Sequence, residues 1–181
     1  MNPNTWGTGG RWRTALGAGL LGMAVATVGV VRADDDHERR ARAVSAMPAE
    51  VAEECGACHL AYPAYLLPAP SWQRIMTGLA DHYGSDASLD PAQAARITDW
   101  LMANARAARR GDPPPQDRIT RSRAFVHEHD EIDADVWRHP SVGSPANCGA
   151  CHADVAARGF DEHDIVMPPG LNARQRRSLR D

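Results

Sequence analysis

Lysine is absent from the 181-residue chain, and its 20 basic residues are all arginine. Acidic residues number 23 and give a formal net charge of −3, so the chain lacks the excess of positive charge with which proteins bind nucleic acid. Aromatic residues make up only 6% of the chain, which is little material for a large core. The length also excludes a large multidomain enzyme, because a domain commonly takes about 100–200 residues. We therefore expect one domain with a small core of its own.

Long uncharged runs without proline or histidine are also absent, except at residues 14–31 near the N-terminus. Two arginines precede this run, and Val31 and Ala33 stand at the −3 and −1 positions of a cleavage site. The pattern is typical of a secretory signal peptide, here residues 1–33. A retained membrane anchor is less favoured, since the run contains four glycines and falls short of the roughly 20 apolar residues that span a bilayer. We therefore predict export to an oxidising compartment such as the periplasm, with cleavage after Ala33.

The four cysteines lie in two copies of the pentapeptide CGACH, at residues 55–59 and 148–152. Two thiols three positions apart can reach the two vinyl groups on one edge of a haem, and the histidine that follows then lies beneath the iron as its proximal ligand. Disulfides, a zinc site with four cysteine ligands and a thioredoxin-type dithiol are the alternatives, but none of them requires that histidine. The pattern therefore predicts two covalently attached haem c groups. The predicted attachment residues are Cys55, Cys58, Cys148 and Cys151, and the predicted proximal ligands are His59 and His152.

The rest of the sequence has the apolar spacing of helices and no run of period-two alternation long enough for a strand. We therefore predict a mostly α fold, with several small helices and long irregular loops packed around two covalent haems. The haem-bearing domain is expected over residues 34–169, followed by an Arg-rich tail over residues 170–181 that is disordered or used for docking. The predicted helices run from Pro48 into the first CGACH motif, from Trp72 to Tyr83 after a cap at Ser71, from Pro91 to Arg110 after a cap at Asp90, from Ser122 to about Asp130, and from Ser144 through the second motif to near Gly159.

Each iron needs a sixth ligand, and helical spacing separates the candidates for this distal position. His82 lies three residues after Leu79, so that on a helix it shares the buried side of the apolar stripe. His129 follows Phe125 by four residues and would face the same side as that ring, whereas His127 would point away from it. His82 and His129 are therefore the favoured distal ligands, and His127 is the alternative to His129.

Met167 is the main alternative to a distal histidine, because a methionine before proline in a loop is a familiar distal ligand in small class I cytochromes c. It stands only 15 residues after His152, with a predicted helix between them, which is a short path around a haem edge. Methionine ligation of one or both haems is therefore the less favoured hypothesis. The remaining candidates by residue type are His37, His139 and His163, together with Met47, Met76 and Met102.

A series of short motifs connects the two CGACH sequences in a specific order. They are YP at residues 62–63, LLPAPSW at 66–72, DHYG at 81–84, DASL at 86–89, RIT at 118–120, HDEI at 129–132 and Asn147 before the second CGACH. This series resembles the bacterial dihaem cytochrome c family over roughly residues 55–168. The resemblance implies a small helical cytochrome c with two bis-His haems, in which His82 and His129 match the two distal histidines of the family. The additional His127, and Met167 where an aliphatic residue is more usual, depart from the family pattern.

The resemblance also implies a function, that of an exported electron carrier often associated with a small oxygen-binding monohaem cytochrome c and a membrane b-type cytochrome. Two histidines on each iron leave no open position for a substrate, so we predict single-electron transfer at low potential between redox partners rather than an enzyme activity. A small dihaem peroxidase or reductase, with one haem open to substrate, is the alternative. A haem-based sensor is less favoured, because such a sensor normally carries an output domain.

Overall fold

The computed structural model describes residues 47–153, residue 155 and residues 159–180. The predicted signal peptide, residues 1–33, therefore lies outside the described residues. Within the described part the chain is helical and contains two isolated β-bridges but no strand, which confirms the predicted mostly α fold. No helix in these ranges is both long and apolar enough to cross a membrane. Short 3₁₀ turns join the α-helices; they span Ala64–Leu66, Leu79–Asp81, Pro115–Asp117, Ile119–Arg121, Cys148–Ala150 and Glu162–Asp164.

Helix α1 (Ala49–Gly56) carries the chain into the first CGACH motif, as predicted. Pro48 precedes its first residue, where the fixed φ of proline and its missing N–H are tolerated. Only Val51 of this helix is buried, so a single apolar anchor holds α1 against the core. The helix thereby delivers Cys55 to the edge of the first apolar cluster.

Helix α2 (Ala69–Thr77) begins earlier and ends earlier than the predicted span. Pro68 stands at its N-cap, and Ser71, the expected cap, is instead fully buried inside the first turn. Gly78 ends the helix, because glycine is a poor helix former and its amide bonds back to the carbonyl oxygens of Arg74 and Ile75. The chain beyond Gly78 therefore continues as a 3₁₀ turn, and the predicted helix up to Tyr83 is wrong.

Helix α3 (Pro91–Asn104) starts at the predicted cap, where the Asp90 carboxylate accepts hydrogen bonds from the first free amides. It ends six residues before the expected position at Arg110. Beyond the helix end, the Arg106 amide donates to the carbonyl oxygen of Leu67 at 3.3 Å, an extended pairing that cannot coexist with helical hydrogen bonds at Arg106. A tertiary contact with the chain before α2 therefore overrides the local helix preference.

The second half of the chain contains shorter elements, α4 (Arg123–Glu128), α5 (Ala134–Trp137) and α6 (Ala173–Arg177). The helix predicted from Ser122 to about Asp130 forms as α4, and the Ser122 hydroxyl caps it by accepting from the Phe125 amide at 3.1 Å. No helix forms between Ser144, the predicted start, and the second CGACH motif. A 3₁₀ turn over Cys148–Ala150 forms within the motif instead. The Ser144 and Asn147 side chains bond to nearby backbone groups there and favour turns over a helix.

Two small clusters of buried apolar residues form the core, one beside each CGACH motif. Cys55 and Tyr62 pack against the first cluster, and Ala150 and Met167 pack against the second. Neither cluster is large, in keeping with the small number of aromatic residues. The first cluster consists of Val51, Ala64, Leu67, Trp72, Ile97 and Leu101, and the second of Val136, Val142 and Leu171.

The segment expected to be an Arg-rich tail, residues 170–181, packs on the domain wherever the structure describes it. Leu171 is only 2% exposed and belongs to the second cluster. Asn172 and Gln175 form a reciprocal capping box at the start of α6, and the Gln175 amide donates to Asp135 at 3.1 Å. The expectation that a separate tail begins at residue 170 is therefore wrong for residues 170–180, because the buried Leu171 packs this segment against the core.

Candidate functional site

The first candidate site pairs His59 with His82, whose rings are stacked with centroids 6.2 Å apart and planes inclined by 25°. His59 follows the end of α1, and His82 follows the 3₁₀ turn after α2. The His82 amide donates to the Ser85 carbonyl at 2.7 Å and the Ser85 amide donates back at 3.2 Å, which closes a tight loop around the histidine. The structure therefore brings together the two predicted residues, although a loop rather than a helix face presents His82.

The second candidate site pairs His129 with His152, whose centroids are 6.3 Å apart with planes inclined by 69°. His129 follows the last residue of α4, and His152 closes the second CGACH motif. His127, the alternative to His129, is exposed on α4. The structure thus brings the predicted distal residue, and not its alternative, to the proximal histidine.

Hydrogen bonds fix the orientation of one histidine in each pair. Nδ1 of His59 lies 2.7 Å from the Leu60 carbonyl oxygen, and Nδ1 of His129 lies 2.9 Å from the Phe125 carbonyl oxygen. A carbonyl oxygen only accepts, so Nδ1 carries the proton and donates, and Nε2 keeps its lone pair. Metal-binding histidines in proteins are held in the same way.

The other histidine in each pair is disposed to stay neutral. Burial lowers the pKa of His82, and the charges of His59 and Arg118 lower it further. Burial likewise lowers the pKa of His152, with a smaller contribution from His129. Neutral imidazole is the form that binds a metal ion. Both pairs are therefore electrostatically suited to metal ligation at neutral pH.

The ring distances test whether these pairs fit an iron between them. An imidazole nitrogen lies about 2 Å from a first-row transition metal, so two imidazoles on opposite sides of one ion have ring centres roughly 6 Å apart. The two observed distances, 6.2 and 6.3 Å, agree with that spacing. The histidine pairs therefore fit a haem iron with two axial imidazoles.

The cysteines fit haem attachment better than the alternatives considered from the sequence. All four are free thiols, and no group of three or more potential metal ligands occurs within the described ranges, which argues against disulfides and against a zinc site with four cysteines. Burial raises the pKa of three of the thiols, whereas zinc requires thiolates. The three are Cys55, Cys148 and Cys151.

Most of the aromatic residues in the described ranges lie against these four histidines, a feature that the sequence alone did not predict. Tyr62 stacks on His59 with centroids 4.7 Å apart, and Phe125 stacks on His129 at 4.1 Å. The sequence did contain a signal for these contacts. Aromatic residues are few, and two of them, Tyr62 and Phe125, stand three or four residues from a candidate histidine. The remaining contacts join Tyr83 to His82, Trp137 to His129 and Phe160 to His152.

Tyr62 also connects the two candidate sites. Its ring lies on His59, and its hydroxyl donates to the Ala146 carbonyl at 2.8 Å, two residues before Cys148. Burial raises the pKa of Tyr62 to about 12, and the neighbouring Cys148 contributes to the shift. The hydroxyl therefore stays protonated, and so remains a donor, over the whole physiological pH range.

The comparison with known families decides what the two sites are. The sequence profile described as Dihaem cytochrome c matches residues 51–160, a span that contains both CGACH motifs and both histidine pairs. The chain belongs to the dihaem cytochrome c family. A dihaem cytochrome c carries two covalently attached haem c groups, so the prediction of two haems is confirmed. No curated protein sequence matches the chain.

Solved dihaem cytochromes c share this fold. A diheme cytochrome c from Shewanella baltica OS155 is 39% identical, with a TM-score of 0.59, and the match covers 70% of this chain and 98% of that one. The diheme cytochrome c of Rhodobacter sphaeroides is 40% identical in one structure and 37% in another, with TM-scores of 0.53 and 0.55. Each of these two matches covers 61% of this chain and 94% of the other. The similarity therefore spans nearly the whole of each solved protein.

The remaining candidates for the distal position make other contacts in the dihaem cytochrome c. Met167 packs against the second apolar cluster, and the preceding amide of Val166 donates to the Cys151 carbonyl at 2.8 Å. Met47 and Met76 pack against the first cluster, whereas Met102 is partly exposed. His139 bonds to Ser141, His163 contacts Asp161, and His37 lies outside the described residues.

Proposed function

We propose that this dihaem cytochrome c transfers single electrons through two low-spin haems, each held between two histidines. The observation that carries the proposal is the separation of the His59 and His82 rings, and of the His129 and His152 rings, at the spacing of two imidazoles on one iron. Filled axial positions leave no coordination site for a substrate, so electron transfer is the chemistry that remains.

The chain's own residues prepare this chemistry in three ways. The cysteine pairs would hold the two haem groups covalently, and the histidine pairs would supply neutral imidazole donors to the irons. Carbonyl groups fix the rings of His59 and His129, which keeps their orientation constant when the iron changes oxidation state. When bound, haem c supplies one-electron iron chemistry.

A low reduction potential follows from histidine ligation. Imidazole donates more strongly than a thioether and favours ferric iron, whereas histidine with methionine raises the potential. The protein is therefore suited to deliver electrons to partners of higher potential. Those partners are redox proteins, and the family resemblance points to a membrane b-type cytochrome and a small oxygen-binding monohaem cytochrome c.

Carbon monoxide tests this proposal in the reduced wild-type protein. Two bis-His haems bind no carbon monoxide, and the oxidised protein has no near-infrared band from methionine on iron. Carbon monoxide binding by one haem would instead favour the peroxidase or reductase alternative. A methionine band would assign Met167 to an iron and would contradict the low-potential carrier.

We also propose that the protein is exported to the periplasm and that its signal peptide is removed after Ala33. Haem c attachment to both CGACH motifs is consistent with such a compartment. The mass and the N-terminal sequence of the purified holoprotein test this directly. The expected N-terminus is Asp34. A purified protein that keeps residues 1–33 would favour the membrane anchor instead.

A further inference from the structure

Arg118 is connected to the first candidate haem site through an aromatic ring. Its guanidinium carbon lies 4.2 Å from the centre of the Tyr83 ring, a cation–π contact, and the Tyr83 ring centre lies 4.9 Å from that of His82. The two distances together place the guanidinium within about 9 Å of the His82 ring, close enough for a charge to act on it. Tyr83 is thus a platform between a positive charge and a proposed iron ligand.

Backbone strain is concentrated at this contact. The only non-glycine residues with positive φ in the described part of the chain are Tyr83, Gln116 and Asp117, with φ of 54°, 57° and 53°. The Tyr83 hydroxyl donates to the Gln116 carbonyl oxygen at 3.1 Å and joins the two strained segments. Strain of this kind persists where the surrounding structure requires a particular placement. Here it holds Tyr83 against His82 and sets Arg118 over the Tyr83 ring.

The charge of Arg118 is not cancelled by its neighbour. Asp117 is engaged by Arg74 through two hydrogen bonds of 2.6 and 2.8 Å, whereas Arg118 makes no ion pair with any described residue. The carboxylate of Asp81, adjacent to His82, accepts from the Gly84 amide. A half-buried, unpaired cation therefore acts on the first site.

We propose that Arg118 is a positioning residue that raises the reduction potential of the first haem by keeping a positive charge beside His82. The inference rests on the proposed function, since it takes His82 as a ligand of that haem. Reduction lowers the charge of the iron by one, and a nearby cation favours the state of lower positive charge. At the effective dielectric constant of a protein, removal of this charge should change the equilibrium constant for reduction about tenfold.

Among the described residues, no corresponding cation–π contact occurs at the second site. The rings recorded around its two histidines are those of Phe125, Trp137 and Phe160. Because Arg118 contacts the ring that lies on His82, its charge should act more strongly on the first haem than on the second. This difference separates a local charge effect from a general loss of structure, which would alter both.

A redox titration of the full-length holoprotein, followed by low-temperature EPR, tests the proposal. The two ferric haems should give different signals, because the ligand planes are nearly parallel in the first pair, at 25°, and steeply inclined in the second, at 69°. Arg118→Gln should lower the potential of the near-parallel haem by the equivalent of about tenfold in its equilibrium constant, with a smaller change at the other haem. Arg118→Lys should keep the wild-type potential, because it keeps the positive charge. Arg118→Glu should lower the potential more than Arg118→Gln does.

Arg110→Gln is the matched control, since Arg110 is exposed and its loss changes the net charge by the same amount. It should shift neither potential appreciably. An unchanged potential in Arg118→Gln, or an equal shift of both haems, overturns the inference, as does Arg118→Lys behaving like Arg118→Gln. If the wild-type protein lacks the low-spin signal of the near-parallel pair, both the proposed histidine ligation and the role of Arg118 are wrong. If both signals are present and only the shift in potential is missing, the role of Arg118 alone is wrong.

Discussion

His59 and His129 are anchored in the same way, although the first is a proposed proximal ligand and the second a proposed distal ligand. The hydrogen bond from Nδ1 to a backbone carbonyl, at 2.7 and 2.9 Å, fixes each ring and increases the donor strength of Nε2. Their partners, His82 and His152, have pKa values lowered by burial. Each site therefore combines one anchored and one desolvated imidazole, which explains at the level of residues why both rings of a pair are ready to bind.

Removal of either proposed distal ligand should open one haem only. We expect His82→Ala and His129→Ala each to convert one of the two haems to high spin and to admit carbon monoxide, because one axial position loses its donor. Visible spectra of the reduced variants, with and without carbon monoxide, measure the effect. His127→Ala is the control, since His127 is exposed, and it should leave both spectra unchanged. Carbon monoxide binding to both haems in either single variant would contradict the assignment.

The Tyr62 hydroxyl should stabilise the contact between the two haem-bearing segments. Tyr62→Phe keeps the ring on His59 but loses the bond to the Ala146 carbonyl, and we expect the free energy of unfolding to fall by about 1 kcal/mol. Tyr62→Leu should cost more, because it also removes the stacked ring. Denaturant unfolding of the three holoproteins gives these values. Equal stability of Tyr62→Phe and wild type would show that the bond contributes nothing.

At the scale of elements, sequence patterns located the residues better than they located the helices. The Asp90 cap and the start of α4 near Ser122 depend on neighbours close in sequence, and the sequence predicted both correctly. The end of α3 depends on pairing with Leu67, far away in sequence, and no local signal shows it. His82 lies beside His59 although the helix on which it was expected ends at Gly78.

The loop after α3 is held by one carboxylate. Asp112 accepts two hydrogen bonds from the Arg106 guanidinium, at 2.6 and 2.8 Å, and one from the Arg109 amide at 2.6 Å. The bonds from Arg106 are the main cause that lowers the pKa of Asp112 to about 2. A depressed carboxyl pKa stabilises the folded state fully above the unfolded value of about 3.9, and this stability is lost as the pH falls toward 2.

Asp112→Asn should therefore destabilise the protein at neutral pH and remove part of its acid sensitivity. We expect a loss of about 1–2 kcal/mol at pH 7, because Arg106 is left without its partner in a site where little of it is exposed. Between pH 4 and pH 2 the variant should lose less stability than wild type does. Asp99→Asn, at an exposed position of α3, is the control. Parallel stability curves for wild type and Asp112→Asn over this range would contradict the account.

At the scale of the whole molecule, the protein part of the core is too small to account for a stable fold. The buried clusters are two separate groups, one of six residues and one of three, and large apolar side chains such as Val126 and Val166 are half exposed. Val126 stands near His129, and Val166 pairs with Cys151. Two bound porphyrins supply the missing apolar material, which the composition already suggested through its few aromatic residues.

The chain without haem should consequently lack a cooperative fold. Expressed in a compartment without haem attachment, it should show no sharp thermal transition by circular dichroism, because a small core cannot offset the loss of chain entropy. Cys148→Ala in the haem-loaded protein should weaken attachment at the second motif alone, which a denatured-protein mass measures. A stable apoprotein with a steep, reversible transition would contradict the structural role of haem.

Low-temperature EPR of the oxidised wild-type protein tests the central claim most directly. Two histidine pairs with plane angles of 25° and 69° predict two distinct low-spin ferric signals of equal intensity, one rhombic from the first pair and one with a larger anisotropy from the second. No high-spin signal should accompany them. A substantial high-spin ferric signal in the intact protein, or a single low-spin species accounting for both haems, would contradict the pairing of His59 with His82 and of His129 with His152.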